Sequence, residues 1–335
     1  MSILLTGGLG YIGSHTAVAM SKADYDIVIY DDLSNSRLST RSSIEKLCGK
    51  KVDFVEGDVL DTAKLIKCMR DFGVVSVVHF AGLKAVEESV QSPLSYYDIN
   101  VGGTISLLRA MEFLDINDLI FSSSATVYGA PEFLPITEDH PKKTLNPYGR
   151  TKSHIEDILS DLCESDPKWK IACLRYFNPV GAHVGGTIGE NSKNSPNNLM
   201  PRIARVASGL SKHLFVFGND YPTNDGTCER DYIHVEDVAE GHLASLNYLQ
   251  DRSSTLEFFN LGSGQSCSVF KLISIFEKVT GKQVPHIMAP RRPGDAAICF
   301  ADVSKSREIL RWEAKKSIDE MCSSAWKFHC RNIAG

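Results

Sequence analysis

Tyr148 and Lys152 stand four residues apart in Asn146-Pro147-Tyr148-Gly149-Arg150-Thr151-Lys152. Residues at that spacing share one face of a helix. Asn146 is suited to cap such a helix, and Pro147 suits its first turn. Ile155, Ile158, Leu159 and Leu162 then continue an apolar stripe at helical spacing. The spacing therefore predicts a packed helix with a phenol and an ammonium side by side near its start. A phenol in that setting is a candidate base, because a nearby positive charge favours the phenolate. Tyr-x-x-x-Lys also arises by chance in ordinary helices, so its meaning depends on what the rest of the chain supplies to that base.

The N-terminal stretch supplies a nucleotide site. Ile3-Leu4-Leu5-Thr6 reads as a buried strand and runs into Gly7-Gly8-Leu9-Gly10-Tyr11-Ile12-Gly13, followed by a helical pattern from Ser14 to Lys22. Gly7, Gly10 and Gly13 allow a tight turn, close approach of backbone to a pyrophosphate and close helix packing. The helix start adds free N–H groups and the positive end of its dipole. A second strand, Asp26 to Tyr30, ends at Asp31-Asp32, and Asp31 lies 18 positions after Gly13. That separation suits a carboxylate binding the adenosine ribose hydroxyls, and its charge repels a 2′-phosphate, so NAD is favoured over NADP. Arg37 is a mild counter-signal, since arginine can hold a 2′-phosphate.

Positioning these residues takes alternating strands and helices. Strands are expected at 52–59, 74–80, 118–124 and 170–177, with helices at 62–72, 95–114 and from Tyr148 onward. This pattern predicts an α/β fold: a Rossmann-type, doubly wound parallel sheet covered on both faces. Ligands on such a sheet sit at the C-terminal strand ends. Gly7, Asp31, Asp58, Ala81-Gly82, Ser122 to Ser124 and Phe177-Asn178 are expected at that edge. After Asn178 the pattern loosens, and residues 181–200 are rich in Gly, Asn and Ser. A helix is expected near 200–209, strands near 214–217 and 258–261, and a helix from Ser268. We expect residues 1–177 to form an NAD-binding Rossmann domain and 178–335 a smaller, mixed α/β C-terminal substrate lobe, with a soft boundary and more than one crossing of the chain.

Composition narrows the function. Hydrophobic residues are 43% and charged residues 23% of the 335, as in a globular protein, and the formal net charge of −5 argues against general nucleic-acid binding. The 9 cysteines are scattered, without a C-x-x-C pair, which points to reduced thiols in a cytoplasmic protein. No apolar run reaches membrane-spanning length. The 10 histidines lack any metal-ligand spacing, so no metal is expected.

Tyr148 to Lys152 and the glycine turn together resemble the extended short-chain dehydrogenase/reductase superfamily. Longer strings resemble one branch of it, the UDP-glucose 4-epimerase family: residues 79–86, 121–128, 174–182, 197–201, 217–223, 231–235 and 289–295. The resemblance implies reversible inversion at C4 of a UDP-hexose, within galactose and wider carbohydrate metabolism. Resident NAD would take a hydride from C4 while a base takes the O4 proton, and the hydride would return to the opposite face of a transient 4-keto sugar. It further implies Tyr148 as base, Lys152 favouring the phenolate and holding the nicotinamide ribose, and Ser124 bonding O4 and helping to pass the proton. Cofactor contacts carried over beside the three glycines are Tyr11, Ile12, Asp31, Leu33, Asn35, Ser36, Asp58, Val59, Phe80, Ala81, Gly82, Lys84, Ser122 and Phe177. Lys84 would meet the pyrophosphate. Substrate contacts carried over are Asn178, Asn198, Leu199, Phe217, Arg230, Tyr232, Arg292, Asp295 and Cys299, with Lys84, Ser124 and Tyr148. Two guanidiniums suit a diphosphate, because their forks bind oxygens bidentately. Arg291 reads as an exposed charge.

Two departures stand out. Ile99 precedes Asn100 where many bacterial members have two asparagines, so a side-chain contact from position 99 is in doubt. Cys299 stands where members restricted to unacetylated sugars often carry tyrosine. A thiol leaves volume that a ring would fill, which implies that the N-acetylhexosamine pair is also accepted. The resemblance also implies a homodimer through helices at about 95–114 and 148–165. Competing readings are a 4,6-dehydratase or uronate epimerase on the same fold, or a non-catalytic NAD-binding regulator. Ala125 and Thr126 count against the dehydratase, which needs acids there, and retention of Tyr148, Lys152 and Ser124 counts against the regulator.

Overall fold

The structure, a computed structural model, describes residues 1–191, 198–292 and 294–334. Its largest element is a sheet of seven strands in the order Thr255–Leu261, Lys170–Tyr176, Asp118–Ser124, Val74–His79, Ser2–Thr6, Asp26–Asp31, Asp53–Glu56. The first strand pairs in parallel with Asp26–Asp31 on one side and Val74–His79 on the other. Asp53–Glu56 and Asp118–Ser124 extend those pairings, also in parallel. The order reverses at the first strand, which makes its C-terminal end the switch point where such sheets bind ligands. Ile3 to Leu5, Val28 to Tyr30 and Leu119 to Phe121 are consecutive buried residues. Strands buried on both faces read that way, and helices cover this sheet on both sides. The fold is the Rossmann-type α/β fold the alternation predicts.

The chain divides into two compact units, each made of separate segments. The first holds Met1–Gly129, Pro141–Arg175 and Ala239–Phe259; the second holds Ala130–His140, Tyr176–Val238 and Asn260–Gly335. The first unit's core joins Leu4, Val77 and Phe121 of the sheet to Leu107, Met111, Ile155, Leu159 and Trp169. In the second unit three small sheets share a core of Met200, Ile203, Val216, Leu272, Phe276 and Met321. Strand Tyr232–His234 pairs with Asn178–Val180, and Leu214–Phe217 pairs with His286–Ala289. Glu229–Arg230 lies between Cys267–Ser268 and Ile298–Cys299.

Several elements differ from the expected ones. The helix expected over 95–114 is α-helical at Pro93–Tyr96 and Gly103–Phe113, with a π segment, Tyr97–Gly102, between. The inserted residue turns Asn100 inward, where it is buried and hydrogen-bonded. The strand expected over 52–59 stops at Glu56. A Cβ at Gly57 would lie 2.3 Å from the Tyr30 hydroxyl oxygen, and that hydroxyl donates to the Asp58 carbonyl at 3.0 Å, so the chain turns there. The helices Val235–Gln250 and Ile318–Ala334 have no counterpart in the sequence reading. Val235, Val238, Ala239, Leu246 and Leu249 are buried in the former at helical spacing, with His242 among them. Part of the Gly-, Asn- and Ser-rich stretch 181–200, and Asn197 and Pro293 of the family-like strings, lie outside the described residues. Among the described residues no helix is long and apolar enough to cross a membrane.

Candidate active site

In the first unit the glycine turn closes tightly on the sheet. Gly7 has φ +67°, and a Cβ there would lie 2.7 Å from the Ala81 nitrogen. A Cβ at Gly13 would lie 2.6 Å from the Gly7 carbonyl oxygen. Only glycines let strand end, turn and helix approach this closely. The helix Tyr11–Lys22 starts at Gly10 with no side-chain cap. Its first turn is therefore left to a ligand or solvent, as an anion-binding helix start requires.

Asp31 is buried at the end of the second strand and organises this turn. Its Oδ2 accepts from Leu9 N at 3.0 Å, and its Oδ1 accepts from Leu33 N at 3.0 Å and Ser36 Oγ at 2.6 Å. Burial raises its pKa, and these hydrogen bonds pull it back. A carboxylate offers roughly four acceptor positions, so one remains for a ribose hydroxyl. Asn35 is exposed in the same turn. The Lys84 ammonium lies 5.9 Å from the centre of the Tyr11 ring. Phe80 packs on His242 with ring centres 4.8 Å apart, and Val59 packs where Gly103 has no side chain. Asp58 accepts from Leu60 N at 2.9 Å, which shapes the turn after the third strand.

The helix at Tyr148 is Pro147–Ser165, and the Asn146 carboxamide oxygen caps it by accepting from Gly149 N at 2.8 Å. Ser124 ends the fifth strand. Burial raises the Tyr148 pKa, and the Ser124 hydroxyl opposes the rise. Lys152 is buried and donates to the Ser122 carbonyl at 2.6 Å, with its ammonium 4.7 Å from the centre of the Phe121 ring. Burial lowers its pKa to about 8, against the charge of Glu156. The Ser124 hydroxyl favours the Tyr148 phenolate. Ser122 takes part through its carbonyl, as the acceptor that holds Lys152.

Residues without an assigned role support this pair from below. Glu156 is fully buried and accepts from Ser123 Oγ at 2.7 Å and from Arg175 at 2.9 and 2.8 Å. Asn100 accepts from Leu83 N at 2.7 Å and donates to Leu83 O at 3.1 Å and Thr151 Oγ1 at 3.0 Å. It thereby ties the turn before Lys84 to the Tyr148 helix. A polar residue on a packed helical face was the available signal for Asn100. His79 shares hydrogen bonds with Thr6 at 2.7 Å and Thr104 at 3.0 Å. Burial, and then Lys152, push its pKa down to about 3, so it stays neutral at physiological pH.

The second unit carries most of the expected sugar-nucleotide contacts. Arg230 donates to the Glu229 and Ala296 carbonyls, each at 2.8 Å, and its other terminal nitrogen lies 3.5 Å from Asp295 Oδ1. Arg292 Nε lies 3.0 Å from Asp295 Oδ2, and its guanidinium sits 5.0 Å from the Phe217 ring centre. One carboxylate thus holds two guanidiniums, which leaves net positive charge for an anion. Cys299 faces Arg230 in strand register, and burial raises its thiol pKa to about 11. Tyr232 and Phe177 are buried, and Asn178 N donates to the Asp231 carbonyl at 3.0 Å. Asn198 donates to Glu190 at 2.6 Å where the helix bearing Leu199 begins. Asp231, unassigned from sequence, is buried and accepts from Ser263, Gly264 and Ala301, bracing the strands beside Arg230 and Cys299. Arg291 is exposed, as expected; it bonds Asp220 at 2.6 Å and lies 4.1 Å from the Tyr221 ring centre.

Residues 3–262 match the NAD dependent epimerase/dehydratase family. The chain belongs to this family. A UDP-glucose 4-epimerase of Bacillus subtilis is 50% identical over 100% of the chain and 98% of its own length. A solved UDP-glucose-4-epimerase from Stenotrophomonas maltophila, with bound NAD and formylated UDP-arabinopyranose, has a TM-score of 0.98 at 45% identity and covers 100% of both chains. One from Bifidobacterium longum, in complex with NAD+ and UDP, has a TM-score of 0.96 at 44% identity and covers 99% of both. The glycine turn and capped Tyr148 helix described above lie inside the segment matched to the epimerase/dehydratase family.

Proposed function

We propose that this chain interconverts UDP-glucose and UDP-galactose by inverting C4 through a transient 4-keto sugar, retaining NAD throughout. Its full-length likeness to UDP-glucose 4-epimerases carries this reading. The residues present fit NAD: a cradle that Cβ atoms at Gly7 and Gly13 would fill, an uncapped helix start, and Asp31 with one acceptor position left. When bound, NAD supplies the acceptor and then the donor of the C4 hydride. Tyr148 takes and returns the O4 proton. Ser124 favours the phenolate. Lys152, carrying its proton at neutral pH, is fixed by Ser122 and adds positive charge near the nicotinamide ribose. Arg230 and Arg292 hold the diphosphate, Asp295 orients them and accepts from the nucleotide ribose, and Phe217 packs beside Arg292.

Cys299 extends the reading to the UDP-N-acetylhexosamine pair, because a thiol beside Arg230 leaves room for an acetamido group. A homodimer in the cytoplasm completes it. Val90 and Leu94 are 63% and 77% exposed close to the helices expected to pair across a two-fold axis. The test is to incubate purified protein with UDP-galactose, without added NAD, and assay UDP-glucose. Conversion is the expected result. No conversion by protein shown to contain NAD would overturn the reading and favour a non-catalytic regulator.

A further inference from the structure

The turn Ala125–Val127 follows Ser124 directly, and the reading above gives it no role. Thr126 in this turn hydrogen-bonds Ser124 and abuts the start of the Tyr148 helix. Its backbone N donates to Ser124 Oγ at 3.2 Å, and its hydroxyl donates to the same oxygen at 3.0 Å. Its carbonyl oxygen abuts the residue after Tyr148: a Cβ at Gly149 would lie 2.9 Å from it. A glycine at position 149 is what allows the start of the Tyr148 helix to seat against this turn.

We propose that Thr126 is a positioning residue that turns the Ser124 hydroxyl proton toward Tyr148 and sets the spacing between the two oxygens. A serine hydroxyl has one donor and two acceptor positions. Thr126 occupies both acceptor positions with its N–H and O–H. What Ser124 has left is its single donor, and a donated proton is what favours the Tyr148 phenolate. Ser124 therefore meets the phenolate as a donor, and two bonds into its oxygen make that donor stronger. This goes beyond the role given to Ser124 by the epimerase reading, on which it rests.

The test compares Thr126→Val, which keeps the branched shape and the backbone donor but removes the hydroxyl, with Thr126→Ser, which restores the hydroxyl. Two readouts are taken on protein purified with its NAD. One is the pH profile of kcat/KM for UDP-galactose. The other is titration of the Tyr148 phenolate by ultraviolet difference absorbance, with Tyr148→Phe as blank, which needs no turnover. We expect Thr126→Val to move the Tyr148 titration and the acid limb upward by about half a pH unit or more. At neutral pH kcat/KM should fall about five-fold, the change expected for one neutral hydrogen bond. Affinity for UDP should be unchanged, and Thr126→Ser should return both readouts close to wild type. Thr126→Ala replaces the valine variant if that protein folds poorly. A hydroxyl-free variant that titrates like wild type would overturn the proposal, and so would a serine variant as impaired as the valine one. The epimerase reading fails separately, through inactive wild type or an active Tyr148→Phe.

Discussion

Lys152 donates to the Ser122 carbonyl at 2.6 Å from within the protein, so one lysine proton ties the Tyr148 helix to the fifth strand. The burial that makes this contact also lowers the lysine pKa from 10.5 to about 8. The unfolded chain therefore binds more protons than the folded one between about pH 8 and 10.5, and stability rises with pH through that window. Below it, burying the ammonium is a full cost to folding. In the absence of ligands, Lys152→Met should be more stable than wild type at neutral pH, by on the order of 1 kcal/mol after loss of the hydrogen bond. That advantage should shrink as pH rises from about 8 to 10.5. Paired denaturant melts across that range check the sign, and the variant should lack epimerase activity.

Glu156 and Arg175 form a buried pair beneath Lys152, with Ser123 on the same carboxylate. Removing one charge strands the other. Glu156→Gln should destabilise the protein by about 3 kcal/mol, as for other broken buried pairs. It should also lower the Lys152 pKa further, because the Glu156 charge opposes the effect of burial. Urea unfolding measures the first effect and the pH dependence of stability the second.

Gly149 has no space for a methyl group, with the Thr126 carbonyl oxygen 2.9 Å from where its Cβ would stand. Gly149→Ala must push the helix start away from Ser124. The expected cost is about 1–3 kcal/mol of stability. A misplaced Tyr148 should lower kcat by roughly ten-fold or more, while KM for UDP-galactose moves little. Steady-state kinetics with a denaturant melt separates the two effects.

Cys299→Tyr puts a ring in register with Arg230, where the proposed specificity needs room for an acetamido group. The variant should keep turnover of UDP-glucose and UDP-galactose within about three-fold and lose most turnover of the acetylated pair, a difference of the size steric exclusion produces. Assays of both substrate pairs on wild type and variant decide it. Wild type inert toward UDP-N-acetylglucosamine would remove the specificity assigned to Cys299.

Local chemistry was readable before any coordinates. The Asn146 cap, Pro147, the Tyr148–Lys152 spacing and the glycine turn depend on neighbours within a few residues, and each appears in the fold. Asp31 was readable as a strand-end carboxylate, but its partner Leu9 lies 22 residues away and was not. Asn100 clamps Leu83 and Thr151 only because a π segment turns it inward. Arg291 was readable as an exposed charge, but its partner Asp220, 71 residues away, was not. The helix Val235–Gln250 carried a local signal that went unread, an apolar face of Val235, Val238, Ala239, Leu246 and Leu249. What sequence hides here is pairing at long range, and burial of small or polar groups.

The sheet order also governs how a ribosome can deliver this protein. Thr255–Leu261 is the edge strand beside Lys170–Tyr176, and the chain makes Tyr176–Val238 of the other unit before reaching it. A nascent chain that ends near residue 177 holds six of the seven strands and leaves Ile171 to Tyr176, all buried in the finished protein, along an open edge. Such an edge can recruit other chains. The seven-stranded sheet cannot be completed until Tyr176–Val238 of the other unit has been synthesised.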